Sequence, residues 1–419
     1  MDSAMTAVQL DAGLLPRARW MSTVRGALSG MSSGEILKAT FPEAPYGLCM
    51  GLLEAGDKYE IKEEGGQWAV TVRRSDYPPL ETGIGLHDIK VSPDGKVVYS
   101  ADRRESLWLF DASTGKTLGG VKTGKGTSHL GLSPDGRFVY VVNTSSDDMA
   151  VVDARSRERV ASVKTGRGPQ LPCVSPNGEF VVVTGTQSDE VSVISTSSPA
   201  DGKTLPVGQG PHDPAITPDG RIAYVPCSVS GEIFVVDLPT AAVVASIPSG
   251  LGASHLAFTA DGRYALVATS FANGVTVIDT RARTVLTSIP SGSGAHVPRL
   301  HPDGRSLYVS NFLADEIAVF VADPWRPVAK IRVGAYPHGL EVSPDGRFVV
   351  AACFGSGECF LIDAASRHVV ARLDVGGGAS HIAFAPDGEV AYVACSHANA
   401  IAVINMRARK VMGRMSPGL

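Results

Sequence analysis

One short turn recurs through this chain at a nearly fixed interval. Pro-Asp-Gly, or a close variant, places its acidic or amide residue at Asp94, Asp135, Asn177, Asp219, Asp261, Asp303, Asp345 and Asp387. The first interval is 41 residues and every later one is 42. A period this strict means one supersecondary unit stacked on copies of itself. Each unit holds four short, Val-rich runs; in the second they are His129–Ser133, Phe138–Asn143, Met149–Asp153 and Arg159–Lys164. Runs of this length, punctuated by Gly, Asn and Asp, read as strands. Ser-Pro-Asp-Gly between the first two reads as a hairpin turn, because Pro presets φ and Gly accepts positive φ. Four antiparallel strands repeated eight times predict an all-β, eight-bladed β-propeller over 84–419.

Residues 1–76 do not repeat. A run at Val8–Asp11 is followed by a helix-like stretch at Ala18–Leu28, a strand at Glu35–Ala39 and a second helix at Tyr46–Ala55. A hairpin of Tyr59–Glu63 and Trp68–Arg73 completes a small α+β domain, and 77–83, with Pro78-Pro79, reads as its linker. Cys49 falls in the second predicted helix, as a core residue.

Composition narrows the function classes. With 44% apolar residues the chain has material for a large core. A formal net charge of −4, with scattered Lys and Arg, gives no basic footprint for nucleic acid. No apolar run reaches the ~18–20 residues of a membrane-spanning helix, and no basic region followed by a long apolar stretch marks an export signal. The expected address is the cytoplasm. Six Cys in 419 residues suggest free thiols rather than a disulfide scaffold.

The first strand of each propeller blade lines the central channel, so its residues are the candidates for a site. Counting back from the turn residue, positions five and three before it are mostly apolar (Ile89 and Val91, Leu130 and Leu132, Leu340 and Val342). Strand alternation then turns positions six and four before it toward the channel. The six-before set is Asp88, His129, Leu171, Asp213, His255, Val297, Gly339 and His381. Three neutral imidazoles from blades 2, 5 and 8 suit copper first, then iron or zinc. His129, His255 and His381 are therefore the predicted metal ligands, aimed at a common point on the axis. Asp88 and Asp213 share that level and can accept a ligand histidine's second N–H or join the metal. Lys90, Arg299 and Glu341, four before the turn, can manage charge or protons one layer below. Four more histidines, His87, His212, His296 and His338, fall seven before the turn, where they read either as strand-capping residues at blade seams or as additional ligands. Cys227, Cys353 and Cys395 share a position at the end of the second strand, as buried packing or as soft ligands.

The strings Phe-Val-Tyr-Val-Val-Asn (138–143), Leu-Tyr-Val-Ser-Asn (307–311) and Pro337-His338-Gly339 resemble the YVTN-type propellers. Eight blades also resemble the haem-d propeller of cytochrome-cd nitrite reductases. That resemblance implies a tetrapyrrole as the alternative cofactor, with a rim histidine as axial ligand and Arg103 and Arg104 for its carboxylates. The order of elements in residues 1–76 resembles the TusA-like sulfur-carrier fold and its uncharacterised relatives found beside denitrification proteins. The carrier's Cys-Pro is replaced by Leu14-Leu15-Pro16, so persulfide carriage is not expected. Seven rim histidines resemble the inventory of nitrous-oxide reductase, whose propeller of different blade number holds a multi-copper cluster. Together these imply an oxidoreductase with a metal centre acting on a small molecule such as a nitrogen oxide, served by a redox or protein partner. The alternatives from other classes are a protein-binding scaffold and a metal carrier without turnover.

Overall fold

The computed structural model divides into two compact units, Met1–Gly83 and Ile84–Leu419. It describes residues 7–11, 15, 19–32, 35–42, 45, 48–49, 52, 57–64 and 67–73 of the first unit, and 85–322 and 325–418 of the second.

In the first unit, β1 (Ala7–Asp11), β2 (Ile36–Phe41), β3 (Lys58–Glu64) and β4 (Gln67–Arg73) build one sheet of order β1-β2-β4-β3, and α1 (Trp20–Ser29) lies between β1 and β2 in sequence. β1 runs parallel to β2, while β4 is antiparallel to both of its neighbours. The helix buries Trp20, Val24 and Leu28 at i, i+4 and i+8, one stripe of a 3.6-residue period. The Trp20 ring lies 4.9 Å from that of Phe41 on β2. Cys49 is fully buried with Leu48 and Leu52, and burial pushes its thiol well above the ordinary range. Leu14, Pro16, most of 46–55 and all of 77–83 lie outside the described residues.

The second unit is a β-propeller. It contains eight successive four-stranded antiparallel sheets, numbered here as blades 1–8 in chain order. Blade 2 is typical: Thr127–Leu132, Phe138–Asn143, Asp148–Asp153 and Glu158–Lys164 pair in sequence order. The first strands of successive blades pack on one another all the way round, the last against the first. Hydrogen bonds close the ring between blades 8 and 1: Thr117 Oγ1 donates to the Ser416 carbonyl (2.8 Å) and Ser380 Oγ to the His87 carbonyl (3.0 Å).

The recurring turn is held by its own side chains. In blade 1, Ser92 Oγ and the Lys96 amide both donate to Asp94 Oδ1, at 2.6 and 3.1 Å, and Gly95 takes φ +72°. The same Ser/Thr-to-Asp/Asn bond recurs at Asp135, Asn177, Asp219, Asp261 and Asp345. Blade 6 carries His301 in the Ser position, and its Nδ1 lies 2.8 Å from Asp303 Oδ1. The core is distributed as apolar clusters along the blades and their seams, one of them joining Leu86 and Phe110 of blade 1 to Tyr392 and Ile401 of blade 8.

The inner strands are not evenly pleated. In blade 2, Thr127 pairs with Asn143 and Leu130 with Val141, so three steps on the inner strand face two on its neighbour. Blades 5, 6 and 8 carry the same one-residue irregularity, at Ala253/Leu256, Ala295/Pro298 and Ala379/Ile382. In blade 7 it falls between Pro337 and Gly339. Such a bulge interrupts alternation and re-aims the side chains beside it. It falls on the two positions, seven and six before the turn, that carry the histidines.

Candidate metal centre

The bulges bring histidines of both registers together. Seven rings form a continuous arch in the order His129, His87, His381, His338, His296, His255, His212. Successive centroids are 5.1, 4.7, 5.4, 5.1, 4.3 and 5.2 Å apart. The arch passes from blade 2 through blades 1, 8, 7, 6 and 5 to blade 4. Its gap is blade 3, which has Gln170 at that position.

This corrects the expectation that His129, His255 and His381 share a point on the axis. The structure gathers two groups whose donor atoms lie within 4.8 Å of one another: His87, His129 and His381, and His212, Asp213 and His255. His255 thus joins His212 and Asp213 instead of the other two members of the predicted triplet. The strict alternation that set the strand-cap register apart does not survive the bulges at His296 and His338, and His87 and His212, in blades 1 and 4, stand in the arch with them.

Hydrogen bonds fix several rings. His381 Nδ1 donates to the His87 carbonyl at 3.1 Å, which puts the proton on Nδ1 and leaves Nε2 with its lone pair. The Arg103 guanidinium donates to His87 Nε2 at 3.0 Å. His255 Nε2 lies 2.8 Å from Asp213 Oδ2. Asp213 Oδ1 is 3.4 Å from His212 Nδ1, near enough for attraction but outside hydrogen-bond geometry. The Nδ1 atoms of His87, His129, His296 and His338 are buried and have no hydrogen-bond partner among the described residues. Orphaned buried nitrogens are costly and rare in a finished fold; at His87, where Arg103 donates to Nε2, the orphan is an N–H donor.

The electrostatics keep most of the arch neutral. Burial holds His129 down to about 4 and outweighs the opposing pull of Asp88. Burial, then the Arg103 charge and the neighbouring rings, holds His87 well below the ordinary imidazole value. Burial likewise lowers His255, His296, His338 and His381. His212 differs: burial works against its proton, but the Asp213 charge raises it overall. Asp213 is held well below the usual carboxylate range because the two imidazoles outweigh its own burial.

The remaining predicted residues fall into four places. Asp88 is fully buried and accepts from the Ile89 and Leu130 amides at 2.7 and 2.9 Å, with Lys90 Nζ at 3.4 Å. One layer down, Arg299 Nε pairs with Glu341 Oε1 at 2.8 Å between blades 6 and 7. Gly339 carries no side chain because a Cβ there would run into the Ser380 carbonyl. Arg104 is exposed on the blade 1 loop next to Arg103. Cys227, Cys353 and Cys395 lie in apolar clusters away from both donor groups. Their thiols face backbone carbonyls, and burial pushes Cys227 and Cys395 up to about 12. Sequence reasoning missed the aromatic side chains beside the arch. Phe312 lies 5.1 Å from His296, Phe354 6.2 Å from His338, and His397 4.9 Å from Phe354. Phe312 and Phe354 directly follow the second strands of blades 6 and 7, so their shared repeat position was the available signal.

Fold and site together define a β-propeller with a histidine-lined inner rim. Residues 83–298, more than half of the chain, match the YNCE-like β-propeller family. The chain therefore belongs to that family. Residues 327–415 also match the model described as lactonase, 7-bladed β-propeller. Among solved structures the chain is similar to Kuenenia stuttgartiensis hydrazine synthase (24% identity, TM-score 0.56), over 67% of this chain and 96% of that one. It is similar to the dihydro-haem d1 dehydrogenase NirN in complex with DHE (18%, TM-score 0.62), over 80% and 73% of the two chains. A third likeness is to the Myceliophteria thermophila Cps50 (Swd1) β-propeller domain (15%, TM-score 0.55), over 66% and 95%. At these identities the likenesses establish the fold. No curated protein matches the chain. Among the described residues no helix is long and apolar enough to cross a membrane.

Proposed function

We propose that this propeller binds transition metal at its inner rim and uses it in redox chemistry on a small molecule such as a nitrogen oxide. The observation that carries the metal reading is the arch: seven imidazoles from seven blades, mostly held neutral, with four buried nitrogens lacking partners. Neutral imidazole is a borderline donor that suits copper, iron and zinc. His87, His129, His381, His212, Asp213 and His255 would hold the metal, which supplies Lewis acidity or one-electron chemistry when bound.

The chain's own groups prepare the site. The His87 carbonyl keeps the His381 proton on Nδ1, so that Nε2 is the donor. Asp213 orients His255 through its Nε2. Arg103 puts a fixed positive charge beside His87, suited to an anionic small molecule at the rim. The Arg299–Glu341 pair fixes opposite charges one layer below. The likenesses to hydrazine synthase and to a dihydro-haem d1 dehydrogenase are consistent with nitrogen or tetrapyrrole redox chemistry.

A tetrapyrrole is the second reading, favoured by Arg103 on the rim and by Phe312 and Phe354 beside the arch. Elemental analysis and an optical spectrum of protein purified from its native host test both. The metal reading expects a stoichiometric transition metal that disappears in the His129→Ala/His255→Ala/His381→Ala variant. An intense porphyrinoid band favours the second reading. A metal-free, colourless protein leaves a protein-binding scaffold.

A further inference from the structure

We propose that the arch binds two transition-metal ions at separate sites, one on His87, His129 and His381 and the other on His212, Asp213 and His255. The inference rests on the metal-binding reading above and deepens it by fixing the number of ions and their ligand sets.

The two donor groups stand on different flanks of the arch. The first comes from blades 1, 2 and 8, the second from blades 4 and 5. Within each group the donor atoms lie within 4.8 Å of one another, which two metal–ligand bonds of about 2.1 Å nearly bridge. No such group among the described residues draws donors from both flanks. Two further rings, His338 and His296, stand between them, in steps of 5.4, 5.1 and 4.3 Å from His381 to His255.

The groups also differ in chemistry. The first is three imidazoles with no carboxylate. The nearest one, Asp88, is spent on the Ile89 and Leu130 amides and on Lys90. A divalent ion there keeps its full charge and requires Arg103 to release His87 Nε2; three imidazoles then suit copper or zinc. The second is two imidazoles and one carboxylate, the ligand set of many non-haem iron(II) centres. Its carboxylate cancels one positive charge, so this site holds a divalent ion with less repulsion from its neighbour. His296 and His338, with buried Nδ1 atoms that lack partners, belong to neither donor group and separate the two.

Zinc(II) serves as a redox-inert probe of both sites. After equilibrium dialysis and removal of loose metal, elemental analysis of the full chain should give two zinc ions. His129→Ala/His381→Ala should keep one, Asp213→Asn/His255→Ala should keep one, and the fourfold variant none. Titration of the unaltered chain with cobalt(II) needs no variant to fold, and its visible bands should develop in two stages ending at two equivalents. One zinc in the unaltered chain, lost from both double variants, would overturn the two-site proposal and leave the metal reading intact. No bound zinc or cobalt would overturn both.

Discussion

Asp88 and Asp213 occupy the same repeat position, each directly after a rim histidine and one blade before another, yet they do opposite things. Asp88 is fully buried and ties blade 1 to blade 2 through the Leu130 amide. Asp213 retains some exposure and turns to His255 and His212. The local strings are alike, His-Asp followed one blade later by Ser-His. What separates them is the partner each carboxylate finds: two backbone N–H groups in blade 1, two imidazoles in blade 4. A repeat fixes where a side chain starts, and the neighbouring blade decides whether it becomes a strut or part of a site.

The largest expected effect follows from that contrast. Asp88→Ala strands two buried amides and a lysine, and should cost about 3 kcal/mol in urea unfolding. Asp213→Ala removes no backbone partner and should cost about 1 kcal/mol or less, measured on metal-stripped protein. Equal losses would erase the distinction between strut and site.

Acid sensitivity sharpens the comparison. Below the ordinary imidazole value of 6.5 the unfolded chain takes up protons that His129 in the folded chain refuses until about 4. His87, His255, His296, His338 and His381 are shifted the same way. Through these six groups, chelator-treated protein should lose stability steadily as pH falls from 6.5 toward 4. His212, raised by Asp213, contributes in the opposite sense, with stability present below 6.5 and lost as pH rises through its folded value. Asp213→Asn should make the acid loss steeper, whereas an unchanged slope in chemical-denaturation curves would deny that coupling.

The smallest effect should come from the thiols. Cys395→Ala, in the packing of blades 7 and 8, should cost about 1 kcal/mol and leave metal content unchanged. Loss of metal in that variant would move the site away from the arch.

The propeller was legible because its turn chemistry is written out in each repeat: Ser92 and Asp94, Ser133 and Asp135, and their counterparts lock the same hairpin through local bonds. The runs predicted for blade 2 agree with its strands to within two residues. The site was only half legible. Histidines were visible at two registers, but choosing between them by alternation assumed a regular pleat. The bulge opposite Val142, and its equivalents in other blades, depends on pairing with the second strand and leaves no mark in composition or period. Asp213 was singled out by its repeat position, while its difference from Asp88 lay in tertiary partners that no local string encodes.

The central claim, that the rim arch is a metal centre built from imidazoles, is most directly tested by X-ray absorption spectroscopy of the zinc-loaded chain. The account predicts a first shell of nitrogen and oxygen at about 2.0–2.1 Å with the outer-shell scattering of several imidazole rings. A sulfur shell at about 2.3 Å, or a shell without imidazole scattering, would contradict it.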